Sequence, residues 1–513
     1  MQFIVFSAFA IVLSIPFEGP ARAWVLVSSP AWIFAAVAGH ILAAGLAGAI
    51  TTRRVRAKLE REPSWLPAAQ RRLGHGHTVI RAVLLLSFGS LVFLTDWLRL
   101  IRSWDGIAAV WGLDEIIAIA PFFAAILASY VAVYPADRAI RQVAMELRLW
   151  ASVPTRPPWS LRAFVRFMFR QNVLIIAVPM LPIMVANDFV QCYAAPIRKA
   201  AFGIVWADQV VLVAIAGLVF LVAPVMLRYI WHTRVLPDGE LRRRLEGLCR
   251  RVGLRYRRIL IWESDGMVVN AAVMGLIKPV RYILLSDGLL EMMDDAKIEA
   301  VFGHEAGHVK CRHIEFYLLF AVLSMLIVGG VMELIAFAAS KWPTFFDQIA
   351  DLEAYLPLLA TVMILLIWLL GFGAVSRQFE LQADLFGARN VTPGGEGCHL
   401  PCFVHRPPPI SADRSNPASA QAICASAAEL FADALYRIAA LNGIPIDAKS
   451  WRHSSIANRM EQLRDYAVRP GAAAWLDKKV LLIKGTLLGG TAVGLVVALL
   501  IYSPQLRAWC WGR

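Results

Sequence analysis

His304, Glu305 and His308 stand together in the run HEAGH, and 72 positions after His308 comes Glu380, in the segment SRQFELQAD, with Asp384 four residues further on. On a helix, histidines at i and i+4 share one face and can offer imidazole nitrogens to one tetrahedral zinc. The glutamate between them can take a proton from a water at the metal. Glu380 would be the third ligand, which leaves the fourth position open as a catalytic zinc requires. Asp384, one turn beyond Glu380, faces the same way and can hold a ligand imidazole by its second nitrogen. The expected chemistry is metal-assisted hydrolysis on one Zn2+, with His304, His308 and Glu380 as ligands and Glu305 as general base.

Other soft or basic side chains compete for attention. If the helix runs on, His313 lies about 140° around it from His308, cannot reach the same metal and is expected at the surface. Cys398, His399, Cys402 and His405 form a compact soft-ligand cluster in a loop rich in Pro, Gly and Ser. A second structural zinc there is one reading; without a second cysteine pair at the usual spacing, the reading preferred is incidental side chains of a flexible loop. The seven cysteines are odd in number and scattered, so no disulfide framework is implied.

The elements that must position these groups are largely apolar. Hydrophobic residues make up 58% of the chain and charged residues 17%, too apolar for a soluble enzyme of this length. Apolar stretches near 2–17, 30–50, 82–96, 111–134, 172–187, 210–228, 317–338, 355–375 and 480–502 give about nine membrane-spanning helices, the first of them the weakest. That first segment has no basic n-region, but Ala21, Arg22 and Ala23 loosely resemble a cleavage site, so a signal peptide is the alternative to a span. The loops at 51–81, 135–171 and 229–316 carry 8, 7 and 14 Lys and Arg, while those at 18–29, 97–110, 188–209 and 339–354 carry 1, 2, 2 and 1. By the positive-inside rule the basic set is cytoplasmic. The net charge of +14 is thereby explained by orientation and anionic lipid headgroups, with no need for nucleic acid as a partner. Asp114, Glu115 and Glu333 fall inside spans and are expected to face protein or a hydrated cavity.

Three regions follow: a membrane region over 1–230 of about six helices, a catalytic region over 231–475, and a last span with its tail over 476–513. The middle region holds short β-like runs at 258–262, 268–273 and 282–285, and a helical stretch over 289–312 broken near Asp294 and Asp295. It also contains the hairpin 317–375 and the long loop 391–425, after which Ser426 and Glu429 have the spacing of a capping box. His308 lies just before one span of the hairpin and Glu380 just after the other. Both ligand helices are therefore expected to continue those spans and to meet about 10 Å beyond the bilayer edge. The fold class expected is a mainly α polytopic membrane protein with a small α+β zincin-like catalytic domain.

The runs VVNAAVMGLIKPVRYILLSDGLLEMM, IEAVFGHEAGHVKCRH, SRQFELQAD and WRHSSIANRMEQL resemble the gluzincin family of integral-membrane zinc metallopeptidases, the HtpX and CAAX prenyl endopeptidase type. The resemblance covers about residues 236–465 and implies the metal site, base and third ligand named above. It further implies that Asn270, Ala271 and Ala272 begin an edge strand on which substrate backbone is laid, Asn270 hydrogen-bonding that chain. The family's strand has an aromatic residue after the Asn-Ala pair, where Ala272 stands here. By the same resemblance His453 and Arg459 approach the scissile carbonyl and stabilise its oxyanion.

The function expected is a zinc-dependent membrane endopeptidase acting on peptide or membrane-protein substrates at the cytoplasmic face of a bacterial inner membrane, in membrane-protein quality control. Two alternatives stand beside it. One is a processing protease for lipidated or other specific peptides; the other is a transporter, receptor or scaffold with an inactive peptidase domain, against which the complete HExxH and Glu380 argue.

Overall fold

The computed structural model describes residues 1–15, 24–108, 110–150, 157–201, 207–266, 268–346, 352–391, 398, 400, 404–405, 423–448, 450 and 452–502. The cleavage-like run at Ala21 to Ala23 lies outside them. The chain divides into two compact units, Met1–Trp231 with Leu334–Met363, and His232–Glu333 with Ile364–Arg513.

The first unit is helical, with α1 (Gln2–Ser14), α2 (Pro30–Leu59), α3 (Leu66–Leu94), α4 (Leu113–Trp150), α5 (Ile175–Cys192) and α6 (Ala207–Ile230). Apolar packing alone cannot select partners in lipid, so polar side chains bridge these helices. His40 Nδ1 on α2 lies 2.6 Å from Ser87 Oγ on α3, and Thr52 Oγ1 donates to the Ala132 carbonyl on α4 at 2.6 Å. Asp114 and Glu115 are buried against protein, and the Arg102 guanidinium pairs with Asp114 at 3.2 Å.

Among the described residues, eight helices are long and apolar enough to cross a membrane: Pro30–Leu59, Leu66–Leu94, Leu113–Leu147, Leu161–Cys192, Ala207–Ile230, His313–Lys341, Leu358–Asn390 and Pro470–Ile501. The protein is a multi-pass integral membrane protein. The first expected span is shorter than the others, apolar over Phe3–Leu13.

The second unit adds a four-stranded sheet of β1 (Thr233–Val235), β2 (Arg258–Trp262), β3 (Ala271–Met274) and β4 (Tyr282–Ser286), in the order β1-β2-β4-β3. β3 is thus an edge, paired only with β4 in antiparallel register, Ala272 opposite Leu284. β1 is three residues long and basic, too short to show an alternating pattern. Around the sheet stand α7 (Glu240–Val252), α8 (Asp295–Lys310), α9 (His313–Lys341), α10 (Gly373–Asn390), α11 (Ala425–Asn442), α12 (Ile456–Val468) and α13 (Pro470–Tyr502). Leu245, Ile259, Ile283, Leu285, Phe302, Phe379, Phe431 and Leu463 fill their common core.

α8 starts where Asp294 accepts a hydrogen bond from the Lys297 N–H, and Arg244 and Arg251 reach its Glu299 at 3.3 and 2.9 Å. It stops at Lys310, because Arg312 takes a left-handed φ of 60° that turns the chain before α9 begins. The expected continuity with a span therefore fails for His308 and its helix, whereas the helix of Glu380 does run on from its span. The expected capping box fails as well: the N-cap of α11 is Cys424, without a side-chain cap, and Ser426 lies within the helix.

α8 and α10 approach closely through glycine. A Cβ at Gly307 would lie 3.1 Å from Ala383 Cα, and one at Gly303 would lie 3.3 Å from Gly387 Cα. At Gly387 it would meet Phe431 Cε2 at 2.6 Å and the His304 nitrogen at 3.0 Å. Gly387→Ala is therefore expected to force the helices apart at a cost of about 1–3 kcal/mol. Thermal unfolding in detergent should show a lowered midpoint together with weaker metal retention.

Candidate metal centre

α8 and α10 bring His304, His308 and Glu380 to one point. The His304 and His308 Nε2 atoms lie 3.2 Å apart, and each is 3.6 Å from a different Glu380 oxygen. Tetrahedral zinc with bonds of about 2.0–2.1 Å places its ligand atoms about 3.3–3.4 Å apart, so this donor set fits the ion.

The hydrogen bonds behind the donors agree with that fit. Asp384 Oδ1 lies 2.8 Å from His304 Nδ1, so the imidazole N–H points to the carboxylate and the Nε2 lone pair faces its two neighbours. On the other ligand, His308 Nδ1 is 3.0 Å from His313 Nδ1, and His313 Nε2 is 2.9 Å from Gln382 Oε1. The consistent order has His308 Nδ1–H donating to His313 and His313 Nε2–H donating to Gln382, which again leaves Nε2 of the ligand bare. Two imidazole lone pairs and a buried carboxylate then converge, an arrangement that needs a cation.

His313 is the main departure from expectation. It is fully buried and stacked on Phe379 at 4.4 Å, not at the surface. The helical-wheel angle does not apply, because α8 ends before it and a new helix begins at His313 itself. The break follows from tertiary packing and left no mark in the spacing.

Glu305 lies on the same helix, its Oε2 accepting a 3.2 Å hydrogen bond from the Val273 N–H of β3. That N–H points away from β4, so the edge strand presents its unpaired groups to Glu305. Burial pushes the Glu305 carboxyl up to about 7 against the opposing pull of the His304 charge. Burial and the His304 charge push His308 down to about 3. For His304 burial is outweighed by Asp384, and the imidazole is held above its usual value. A cation at this point therefore displaces a proton.

His453 Nδ1 lies 3.1 Å from Glu380 Oε2, and the side chain is 44% exposed. Arg459 is placed differently. It is buried, and its Nε and Nη2 donate to Asp384 at 2.7 and 2.5 Å, while Nη1 is 3.9 Å from Glu380. Burial opposes its charge, yet Asp384 and Glu380 hold it more firmly protonated than usual. Arg459 is thus tied to Asp384, the carboxylate that also meets the His304 imidazole. Asn270 is exposed beside β3, Ala271 is buried and Ala272 half-buried.

Residues 236–397 match the model of peptidase family M48. The protease HtpX homolog of Pyrococcus abyssi is 33% identical over 164 residues, 31% of this chain and 55% of that protein. The homolog of Methanocaldococcus jannaschii is 27% identical over 172 residues, 32% of this chain and 58% of that one. The CAAX prenyl protease 1 of Saccharomyces cerevisiae is 28% identical over 143 residues, 27% of this chain and 32% of that protein. The match thus spans a little over half the length of the two HtpX homologs and about a third of the yeast protein. The crystal structure of S. mikatae Ste24p overlaps 86% of this chain and 99% of that one at 15% identity and a TM-score of 0.43. Residues 236–397 are thus a region similar to peptidase family M48, set within a multi-pass membrane protein.

His313→Phe keeps a ring on Phe379 but removes the support of His308. Zinc retention, measured by chelator competition, is expected to weaken about 10- to 100-fold. Unchanged retention would show that His308 does not depend on this contact.

Proposed function

We propose that this metallopeptidase is a zinc-dependent endopeptidase that hydrolyses peptide bonds at the cytoplasmic membrane face, in the quality control of membrane proteins. The observation that carries the reading is the convergence of three donors of zinc-site geometry with a glutamate hydrogen-bonded to an open sheet edge.

In this reading a locally extended substrate adds to β3, using outward backbone groups near Val273 and the Asn270 side chain. Strand addition fixes the chain's direction and carries it past Glu305. His304, His308 and Glu380 hold the ion, which when bound acts as a Lewis acid and lowers the pKa of water toward about 7. Glu305 takes the proton of the attacking water and passes it to the departing amine. His453, on the exposed side of Glu380, donates to the developing oxyanion. Arg459 is a positioning residue: through Asp384 it fixes the His304 ring. The cytoplasmic side is supported by the 14 Lys and Arg of 229–316, the region bearing the site. An inner bacterial membrane and a quality-control role follow the resemblance to the HtpX branch.

The test is cleavage of a quenched membrane-protein substrate by the purified chain in detergent, with a prenylated peptide in a parallel arm. Chelation should abolish cleavage and zinc restore it. Glu305→Gln should lower turnover at least about 100-fold with zinc still bound; retained turnover would sink the assignment of the base. His304→Ala should lose the metal, as elemental analysis will show. Turnover of the prenylated peptide alone would move the reading to the processing branch.

A further inference from the structure

The long loop before α11 returns two of its side chains to a third that is remote in sequence. Cys398 and Cys424 are fully buried, their sulfurs 3.5 Å apart, and one ligand atom each of Cys398, Cys424 and His405 lie within 4.8 Å of one another. A disulfide requires about 2.05 Å between sulfurs. Two thiolates on one tetrahedral zinc, with Zn–S bonds of about 2.3 Å, stand about 3.8 Å apart. The observed spacing is close to the second and far from the first. The loop's own cysteine and histidine spacing gave no metal motif, because the completing donor, Cys424, arrives from 26 residues away.

We propose that Cys398, His405 and Cys424 form a second metal site, structural in kind, that takes a soft divalent ion, zinc by ligand chemistry. Two thiolates and an imidazole are a zinc-type set, and binding releases the thiol protons to solvent. A closed site needs a fourth donor, which a water can supply. The match to the peptidase family ends at residue 397, just before Cys398.

Its place gives it a purpose. Cys424 is the N-cap of α11, and α11 touches the catalytic centre twice. Phe431 packs on the His304 ring with centroids 6.3 Å apart. At the far end, Asn442 accepts from the Val269 N–H at 3.1 Å and donates to the Val269 carbonyl at 2.8 Å, holding the approach to β3. An ion at the start of α11 clips the loop to this helix and steadies both contacts.

Full-length protein in detergent, analysed for metal, should hold about two zinc ions per chain. The Cys398→Ser, Cys424→Ser double variant and the His304→Ala variant should each hold about one. Loaded with Co2+ alone, wild type and His304→Ala should both show sulfur-to-cobalt charge-transfer absorption, which the serine variant loses and His405→Ala weakens. The catalytic donors include no sulfur, so this band reports only the second site. Equal zinc in wild type and the serine variant, or no such band in wild type, would overturn the proposal. So would a Cys398–Cys424 disulfide, seen as two thiols missing from titration of freshly purified protein. Unchanged zinc in His304→Ala alone would count against the catalytic assignment and leave this one standing.

Discussion

Backbone contact between α8 and α10 is the constraint on which the centre depends. With the His304 nitrogen near Gly387, and Gly307 against Ala383, the two helices are close enough for ligands on both to reach one ion. Side chains at those positions would widen the gap, and an imidazole and a carboxylate have little length to spare. The same closeness buries Glu380 and Asp384, and a buried carboxylate without a partner is costly. Arg459 and the His304 imidazole offset that cost, so the arginine is as much a condition of the helix contact as a feature of the site.

The hydrogen bonds that orient the ligands reach into a membrane helix. Gln382, which receives the His313 N–H, also accepts from Lys484 at 3.1 Å and donates to Asp477 at 3.2 Å, both on α13. Lys484 further donates to the Cys311 carbonyl at 2.6 Å, an acceptor at the break between α8 and α9. The last span therefore has a second role beyond anchoring. It closes the polar network behind His308 and satisfies a helix end that the left-handed turn at Arg312 would otherwise leave open.

HEAGH and Glu380 were legible because metal coordination fixes spacing along one helix and an acidic side chain on another, and the apolar spans were legible because lipid demands length. The eight long helices follow the hydropathy closely. What stayed hidden depended on tertiary contact. His313 looked peripheral on an unbroken helix; the break is held by Lys484 from far along the chain. Cys424 carries no motif with Cys398, since loop closure and not local spacing joins them. The pairing of Arg459 with Asp384, 75 residues earlier, likewise has no local spacing that would show it.

Exposure sets a direction of approach. His304, Glu380, Asp384 and Arg459 are all buried, while His453 and Asn270 remain open to solvent. On the proposed reading a substrate entering between these two would meet the edge of β3 first, where the Val273 N–H is held by Glu305. An arriving strand would compete for that N–H, and the carboxylate it would displace is the one proposed as the base. On that reading strand addition and the freeing of the base would be a single event at this site. A compact, folded segment offers no unpaired backbone to drive it, so the proposed strand addition would favour peptide that is already locally unfolded.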